Sequence, residues 1–159
     1  MTFTDAHERT IDAKGRIQIP AQVRESLESA QQHRILYLVP GARTGTLSLY
    51  PASEFEQMVR YMDNEPIPDQ DALTFQQLFY SMASRLEMDK QGRIVLPERI
   101  LKRAGIGHEV MLTGAGSHLD LWNRTVYEEF LDKNWSRWAE IQQEARAASR
   151  RDRSGTPQS

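Results

Sequence analysis

Cysteine is absent from this chain of 159 residues, and its absence excludes several kinds of chemistry at once. Disulfide bonds, thiolate metal sites and catalytic thiols all require a sulfhydryl group. The sequence therefore predicts a fold that is stabilised by packing and hydrogen bonds, with no site that depends on sulfur nucleophiles.

Long apolar segments are lacking as well. The longest purely apolar or aromatic run extends from Ile35 to Val39, whereas a membrane-spanning helix needs about 20 such residues. The first residues, Met1 to Asp5, contain neither the basic stretch nor the apolar stretch of a secretory signal. We therefore expect a cytoplasmic location and no membrane partner.

A strong excess of one charge is also missing, because the formal net charge is −2 at pH 7. This value does not by itself indicate a nucleic-acid partner, but a local basic patch matters more than the total. The charge is uneven along the chain, since residues 63–71 are acidic and the last ten residues contain Arg150, Arg151 and Arg153. The net charge and its distribution therefore do not exclude DNA binding.

Signals of catalysis or ligand binding are weak. The four histidines have no spacing typical of a metal site: His7, His33, His108 and His118. The segment from Gly114 to Gly116 is glycine-rich, but no Lys-Ser/Thr pair follows it as in a phosphate-binding loop, so we interpret it as a hairpin loop. We expect no enzymatic activity, no metal, no cofactor and no small-molecule ligand.

What the chain does contain is an internal repeat. The stretch from Asp12 to Pro20 reads DAKGRIQIP, and it returns 77 residues later, from Asp89 to Pro97, as DKQGRIVLP. Both copies keep an Asp, a Gly-Arg pair followed by Ile, an aliphatic residue and a final Pro. An internal repeat determines the architecture of a chain, so we treat the two halves as copies of one unit.

Each copy predicts a turn followed by a strand and a helix. The Asp can accept hydrogen bonds from amides two residues on, and the Gly permits the positive φ of a tight turn. The residues after Gly alternate between polar and apolar, so the Arg lies on the face opposite the core. The Pro suits the first position of a helix. The residues with these structural roles in the two motifs are Asp12, Gly15, Pro20, Asp89, Gly92 and Pro97.

The sequence around the motifs predicts two equivalent units and a C-terminal extension. A half of about 50 residues is smaller than most independently stable domains, so we expect the halves to share one core, with strands interleaved about a pseudo-two-fold axis. The predicted order is a first repeat at 6–53, a helix, acidic linker and bridging helix at 54–82, a second repeat at 83–126, a C-terminal helix at 127–146 and a disordered basic tail at 147–159.

The double motif resembles that of the SpoVT/AbrB superfamily of DNA-binding β-barrels, and two fused copies are similar to the MraZ family of bacterial transcriptional regulators. The resemblance covers roughly residues 3–140. It implies an α+β fold: a double-split β-barrel made from two tandem AbrB-like repeats, with short helices and a C-terminal helix. It also implies a ring-shaped homo-oligomer.

The resemblance further implies sequence-specific binding to double-stranded DNA. The expected sites are short direct repeats in the promoter of the division and cell-wall gene cluster, where such a protein represses the cluster and its own gene, in association with the nucleoid. One difference between the copies lies in the turn, where Lys14 directly precedes glycine but Lys90 lies one position earlier. The candidate DNA-binding residues are Lys14, Arg16, Lys90, Arg93, Arg9 and Arg85.

Alternatives to these assignments remain open at the level of sequence. The two motif arginines can instead form local ion pairs with Asp12 and Asp89. A toxin-neutralising antitoxin is the rival within the superfamily, although such antitoxins build their barrel from two single-motif chains. Trp135 and Trp138, on an otherwise polar segment, favour packing against a neighbouring subunit. The basic tail either adds non-specific DNA affinity or is merely solvated.

Overall fold

The structure is a computed structural model, and it describes residues 1–32, 34–62 and 69–155. Most of the predicted acidic linker falls on residues 63–68, which lie outside the described residues, as do His33 and residues 156–159 of the predicted tail. The chain divides into two compact units, Met1–Arg124 and Thr125–Ser159.

The described chain contains strands and helices in the order that the repeat predicts. In the first half these are β1 (Ala6–Thr10), β2 (Arg16–Gln18), α1 (Ala21–Ser29), β3 (Ile35–Pro40), β4 (Thr46–Pro51) and α2 (Ala52–Met62). In the second half they are α3 (Gln70–Met82), β5 (Ser84–Glu87), β6 (Arg93–Val95), α4 (Glu98–Ala104), β7 (Glu109–Gly114), β8 (Leu119–Asn123), α5 (Arg124–Trp135) and α6 (Trp138–Ser154).

The strands of the two halves interleave, as expected. The larger sheet has the order β1-β7-β8-β4-β3-β5, and β2 pairs with β6 in a separate two-stranded sheet. If each strand is replaced by its equivalent in the other half, the β1–β7 pair becomes the β5–β3 pair. The β4–β8 and β2–β6 pairs each join two equivalent strands, so they are unchanged. This pseudo-two-fold arrangement confirms the α+β fold and the double-split barrel of two tandem repeats.

One hydrophobic core serves both halves. The buried cluster contains Ile17 and Ile19 of the first motif together with Ile94 and Leu96 of the second. Apolar burial stabilises a fold by about 25 cal/mol per Å², and here neither half closes the cluster without side chains of the other. The shared core explains why the two motifs are brought to one place.

The two motif prolines begin the helices that cover this core. Pro20 and Pro97 were predicted at the first helical position, but each is the N-cap residue, so α1 and α4 begin one residue later than predicted. Gly105 ends α4 with a φ of 68°, which is the left-handed conformation that favours glycine at a helix C-terminus.

The segment predicted as the bridging helix contains α3, which packs on β3. A second apolar cluster joins α2 and α3 to the sheet through Val39, Phe55 and Phe79. Phe75, which stacks against Phe79 on α3, and its neighbour Leu78 nevertheless remain exposed.

The C-terminal unit differs from the prediction. A single helix at 127–146 and a disordered tail from 147 were expected, but α5 ends at Trp135 and α6 continues from Trp138 through Ser154. The expectation of disorder rested on the lack of residues to bury. Alanine and arginine are nevertheless strong helix formers, and Arg137 forms ion pairs with Glu140 and Glu144 at the start of α6.

Candidate nucleic-acid interface

The two motif strands, β2 and β6, pair with each other. We call this two-stranded sheet the ribbon. Arg16 lies opposite Val95, Ile17 opposite Ile94, and Gln18 opposite Arg93. Since side chains alternate along a strand, the isoleucines point inward, and each is only 1% exposed. The outer face of the ribbon consists of Arg16, Gln18, Arg93 and Val95.

A motif turn lies at each end of the ribbon and is held by the strand of the other half. The Gly15 carbonyl accepts a hydrogen bond of 2.8 Å from the Leu96 amide, and the Gly92 carbonyl accepts one of 2.9 Å from the Ile19 amide. These bonds continue the strand ladder past both ends. Two motifs that are 77 residues apart, at Asp12 and Asp89, thus form one continuous surface.

The first turn is organised by the carboxylate of Asp12. Its Oδ1 accepts hydrogen bonds of 2.9 Å from the backbone amides of both Lys14 and Arg16. Its Oδ2 accepts a hydrogen bond of 2.7 Å from Nε of Arg16. Gly15, with a φ of 76°, permits the tight geometry. One oxygen therefore shapes the backbone while the other holds the arginine side chain.

The second turn repeats this arrangement almost atom for atom. Oδ1 of Asp89 accepts from the amides of Gln91 and Arg93 at 2.9 and 3.0 Å. Oδ2 accepts from Nε of Arg93 at 3.0 Å, and Gly92 has a φ of 79°. The motif encodes the same local structure twice.

The hydrogen bonds lower the pKa of both turn aspartates. For Asp12 the main cause is the bond from the Arg16 amide, followed by that from the Arg16 side chain, and for Asp89 the main cause is the Arg93 amide. A carboxylate whose pKa is lowered on folding stabilises the protein above its unfolded pKa, and this stabilisation is lost as the pH falls through the lowered value. Both turns therefore keep their charged aspartates at neutral pH.

Each arginine uses only part of its guanidinium group in the ion pair. The side chains of Arg16 and Arg93 are 29% and 28% exposed, and Nε is the atom that bonds the aspartate. Neither arginine donates from its Nη groups to any residue within the described ranges. The local ion pair that the sequence left as an alternative is thus formed, and it leaves the outer edge of each guanidinium fork available to a ligand.

The four remaining candidate residues lie in different settings. Lys14 and Lys90 are exposed on the two turns. Arg9 is tied to the ribbon, because its Nε donates to the Gln18 carbonyl at 3.1 Å and its Nη1 donates to the Glu8 carbonyl at 2.8 Å. Arg85 is exposed on β5, where it lies opposite Tyr37 of β3 in the larger sheet and not in the ribbon.

Two residues that support the second turn were missed by the sequence analysis. Nε2 of Gln18 donates to the carbonyls of Gln91 at 2.8 Å and Gly92 at 3.3 Å. Nε of Arg24 donates to the Ile19 carbonyl at 3.3 Å, and this bond holds the Arg24 side chain against Gly92 of the second turn. The repeat offset places Val95 where the first copy has Gln18, so the first turn has no matching amide. Comparison of the two copies position by position would have shown this asymmetry.

The tight packing around Gly92 leads to a prediction about stability. A Cβ there would come within 2.5 Å of Arg24 Cδ and 3.0 Å of Gln18 Nε2, whereas a Cβ on Gly116, which has a φ of 78°, would meet nothing within 4 Å. We expect Gly116→Ala to destabilise the protein by about 1 kcal/mol, the cost of an alanine at positive φ. Gly92→Ala should cost about 1 kcal/mol more, because it displaces a hydrogen-bonded side chain.

Urea unfolding of the two glycine variants beside the parent chain measures this difference directly. Gly116→Ala serves as the matched control because it shares the positive φ and lacks the close neighbours. Equal destabilisation by the two substitutions would contradict the proposed support of the second turn by Gln18 and Arg24.

In the ranges that the structure covers, no group of three or more His, Asp or Glu side chains is placed to hold a metal ion. No helix among those ranges is both long enough and apolar enough to cross a membrane.

Comparison with known proteins matches both halves of the chain. Residues 2–78 and 79–152 each match the family model described as "MraZ protein, putative antitoxin-like". A protein of Heliobacterium modesticaldum named transcriptional regulator MraZ is 31% identical over 139 residues, covering 87% of this chain and 93% of the relative. The family match therefore includes both turns and the ribbon between them.

Two further relatives have the same name. The protein of Carboxydothermus hydrogenoformans is 30% identical over 139 residues, covering 87% of this chain and 93% of the relative. That of Moorella thermoacetica is 31% identical over 128 residues, covering 80% of this chain and 85% of the relative.

Proposed function

The chain belongs to the MraZ family, and from this premise we propose that it recognises DNA through the outer face of the ribbon formed by β2 and β6. The names of its relatives support a DNA-binding transcriptional regulator and not an enzyme. The observation that carries the proposal is the presence of two arginines on one exposed face, each held by an aspartate of its own turn.

The ribbon has dimensions that suit the major groove of DNA. Three residues of a strand span about 10 Å, and the groove is about 12 Å wide and admits a two-stranded ribbon. Arg16 and Arg93 are diagonal neighbours across the strand pair. Each guanidinium can therefore bond a phosphate or the O6 and N7 atoms of guanine with its outer edge while the aspartate fixes its direction. Lys14 and Lys90 extend the positive surface to the flanking phosphates.

We propose that these interfaces are multiplied in a ring-shaped homo-oligomer. A protomer with a net charge of −2 does not attract DNA as a whole, so several copies of a local basic patch are needed for high affinity. Within the single chain, Phe75 and Leu78 are exposed in the first unit, and Trp135 and Trp138 are exposed in the second. Large apolar side chains of this kind favour burial between subunits.

The oligomer leads to a specific proposal about the operator. Equivalent subunits that follow one another around a ring present the same surface repeatedly, and contacts on one side of DNA recur every helical turn of about 10 bp. We propose direct repeats at about this spacing, in the promoter of the division and cell-wall gene cluster, with repression of that cluster and of the protein's own gene. This role places the protein at the nucleoid.

Selection of bound fragments from the source genome tests the function, and footprinting tests the operator. We expect enrichment of the DNA upstream of the protein's own gene and several protected direct repeats about 10 bp apart. A single protected inverted repeat, or selection without enrichment of any sequence, would overturn the proposal. Light scattering should give a species larger than a dimer, and a stable monomer at micromolar concentration would exclude the ring.

The family description also contains the words antitoxin-like, which agree with the rival function considered from the sequence. In the structure one chain supplies both halves of the barrel, whereas an antitoxin of this kind is expected to use two chains. Mass measurement of the protein purified from its source separates the two functions. A small protein bound at fixed stoichiometry would support the antitoxin, and its absence beside operator binding would support the regulator.

A further inference from the structure

The outer face of the ribbon contains one exposed apolar residue among its polar ones. Val95 is 55% exposed and lies directly opposite Arg16. Its neighbour Ile94 points the other way and is 1% exposed. Single exposed hydrophobic residues are common on protein surfaces. The exposure of Val95 therefore indicates a function only in combination with the residues around it.

The surroundings place Val95 within the proposed DNA contact, at the end of the ribbon beside the first turn. Arg16 is its cross-strand partner, and Arg93 precedes it by two positions on the same face of β6. Its Cγ1 would be 3.8 Å from a Cβ on Gly15, so the isopropyl group adjoins the first turn. Any duplex that both arginines contact must therefore pass within reach of this side chain.

Gln18 occupies the position in the first repeat that Val95 occupies in the second, but the two side chains make different contacts. Gln18 is committed to the second turn through its bonds to the Gln91 and Gly92 carbonyls. Val95 has no polar atom with which to bond the first turn, and it remains turned to the solvent. The two ends of the ribbon thus present different chemistry to DNA.

We infer that Val95 contacts the C5-methyl group of a thymine in the major groove and so determines part of the sequence specificity. The inference rests on the proposed DNA-binding function. Apolar contact with this methyl group is one of the ways in which side chains distinguish thymine from cytosine. A valine has few side-chain rotamers, so the contact costs little conformational freedom when DNA binds.

One consequence is that each protomer binds its DNA site in only one orientation. Each half contributes one arginine to the ribbon, but the methyl contact occurs only at the end beside the first turn. A site read by such an asymmetric surface has no internal two-fold symmetry. This asymmetry agrees with operator repeats that are direct and not inverted.

The experiment uses the full-length protein and operator duplexes in which each thymine is replaced in turn by deoxyuridine, which lacks only the methyl group. For the parent protein we expect one position in each repeat where this replacement weakens binding about three- to fivefold, as expected for one buried methyl group. Val95→Ala should bind the thymine and uracil duplexes equally at that position. Val126→Ala is the control, because Val126 is also an exposed valine but lies on α5.

The outcomes separate this inference from the function on which it rests. Specific binding by the parent protein with no effect of uracil at any position would overturn the inference alone. An equal effect of uracil on the parent protein and on Val95→Ala would show that another residue reads the methyl group, and would also overturn it. Failure of the parent protein to bind any selected fragment specifically would instead overturn the proposed function.

Discussion

Replacement of Arg16 by alanine is expected to abolish specific DNA binding while leaving assembly and melting temperature nearly unchanged. The turn before Arg16 is shaped by backbone amides that donate to Oδ1 of Asp12, and the amide of residue 16 persists in the variant. The substitution removes only the bond from Nε to Oδ2, which lies in a partly exposed pair. Its main effect is therefore the removal of the guanidinium group that we propose contacts the DNA.

The equivalent change in the second repeat should have a smaller effect on affinity. Arg93→Ala removes a guanidinium group in the same setting, but its turn has no lysine directly before glycine and is expected to bind phosphate less closely. For both variants, the slope of log K against log salt should become shallower by about 0.9 for each phosphate that the variant no longer neutralises.

Affinity and melting temperature must be measured on the same preparations. Arg60→Ala is the control, because Arg60 is an exposed arginine on α2, outside the ribbon. We expect this variant to bind and melt like the parent protein. A lower melting temperature with unchanged affinity for Arg16→Ala would show that the arginine stabilises the turn and does not contact DNA.

The second large effect concerns the two adjacent residues Ile94 and Val95, which point to opposite faces of the ribbon. Ile94 is 1% exposed and packs in the core shared by the two halves. Truncation of a buried isoleucine to alanine typically costs about 2–5 kcal/mol, because it removes apolar contacts and leaves a cavity. We therefore expect Ile94→Ala to lower the melting temperature by roughly 5–20 °C.

Val95→Ala is the matched comparison in the same strand. Its side chain is largely exposed, and surface substitutions usually change stability by less than about 0.5 kcal/mol. Thermal unfolding of the two variants followed by circular dichroism checks the difference. Similar melting temperatures would mean that Ile94 and Val95 do not lie on a buried face and an exposed face of the ribbon.

The parts of the structure that the sequence predicted correctly are those that depend on local interactions. The turn at Asp12 to Gly15 follows from a carboxylate that reaches amides two and four residues on. The inward direction of Ile17 follows from alternation along a strand. The internal repeat then indicated that two such units share one core, and the interleaved sheets confirm it.

The features that the sequence did not predict depend on contacts between distant residues or on several competing effects. The register that sets Arg16 opposite Val95 joins residues from different halves. The support of Gly92 by Gln18 and Arg24 likewise exists only once the halves have paired. The continuation of α6 to Ser154 was missed because the composition was judged by its capacity for burial and not by its helix propensity.

The central claim is that the outer face of the ribbon meets the DNA, and site-specific photocrosslinking tests it most directly. A benzophenone amino acid placed at Lys14 or Lys90 would lie at one or the other end of the ribbon, whereas the same group at the exposed Tyr61 of α2 would lie outside it. Irradiation of the protein bound to its selected DNA should crosslink DNA from both turn positions and not from Tyr61. Crosslinking from Tyr61 with none from either turn would contradict the claim.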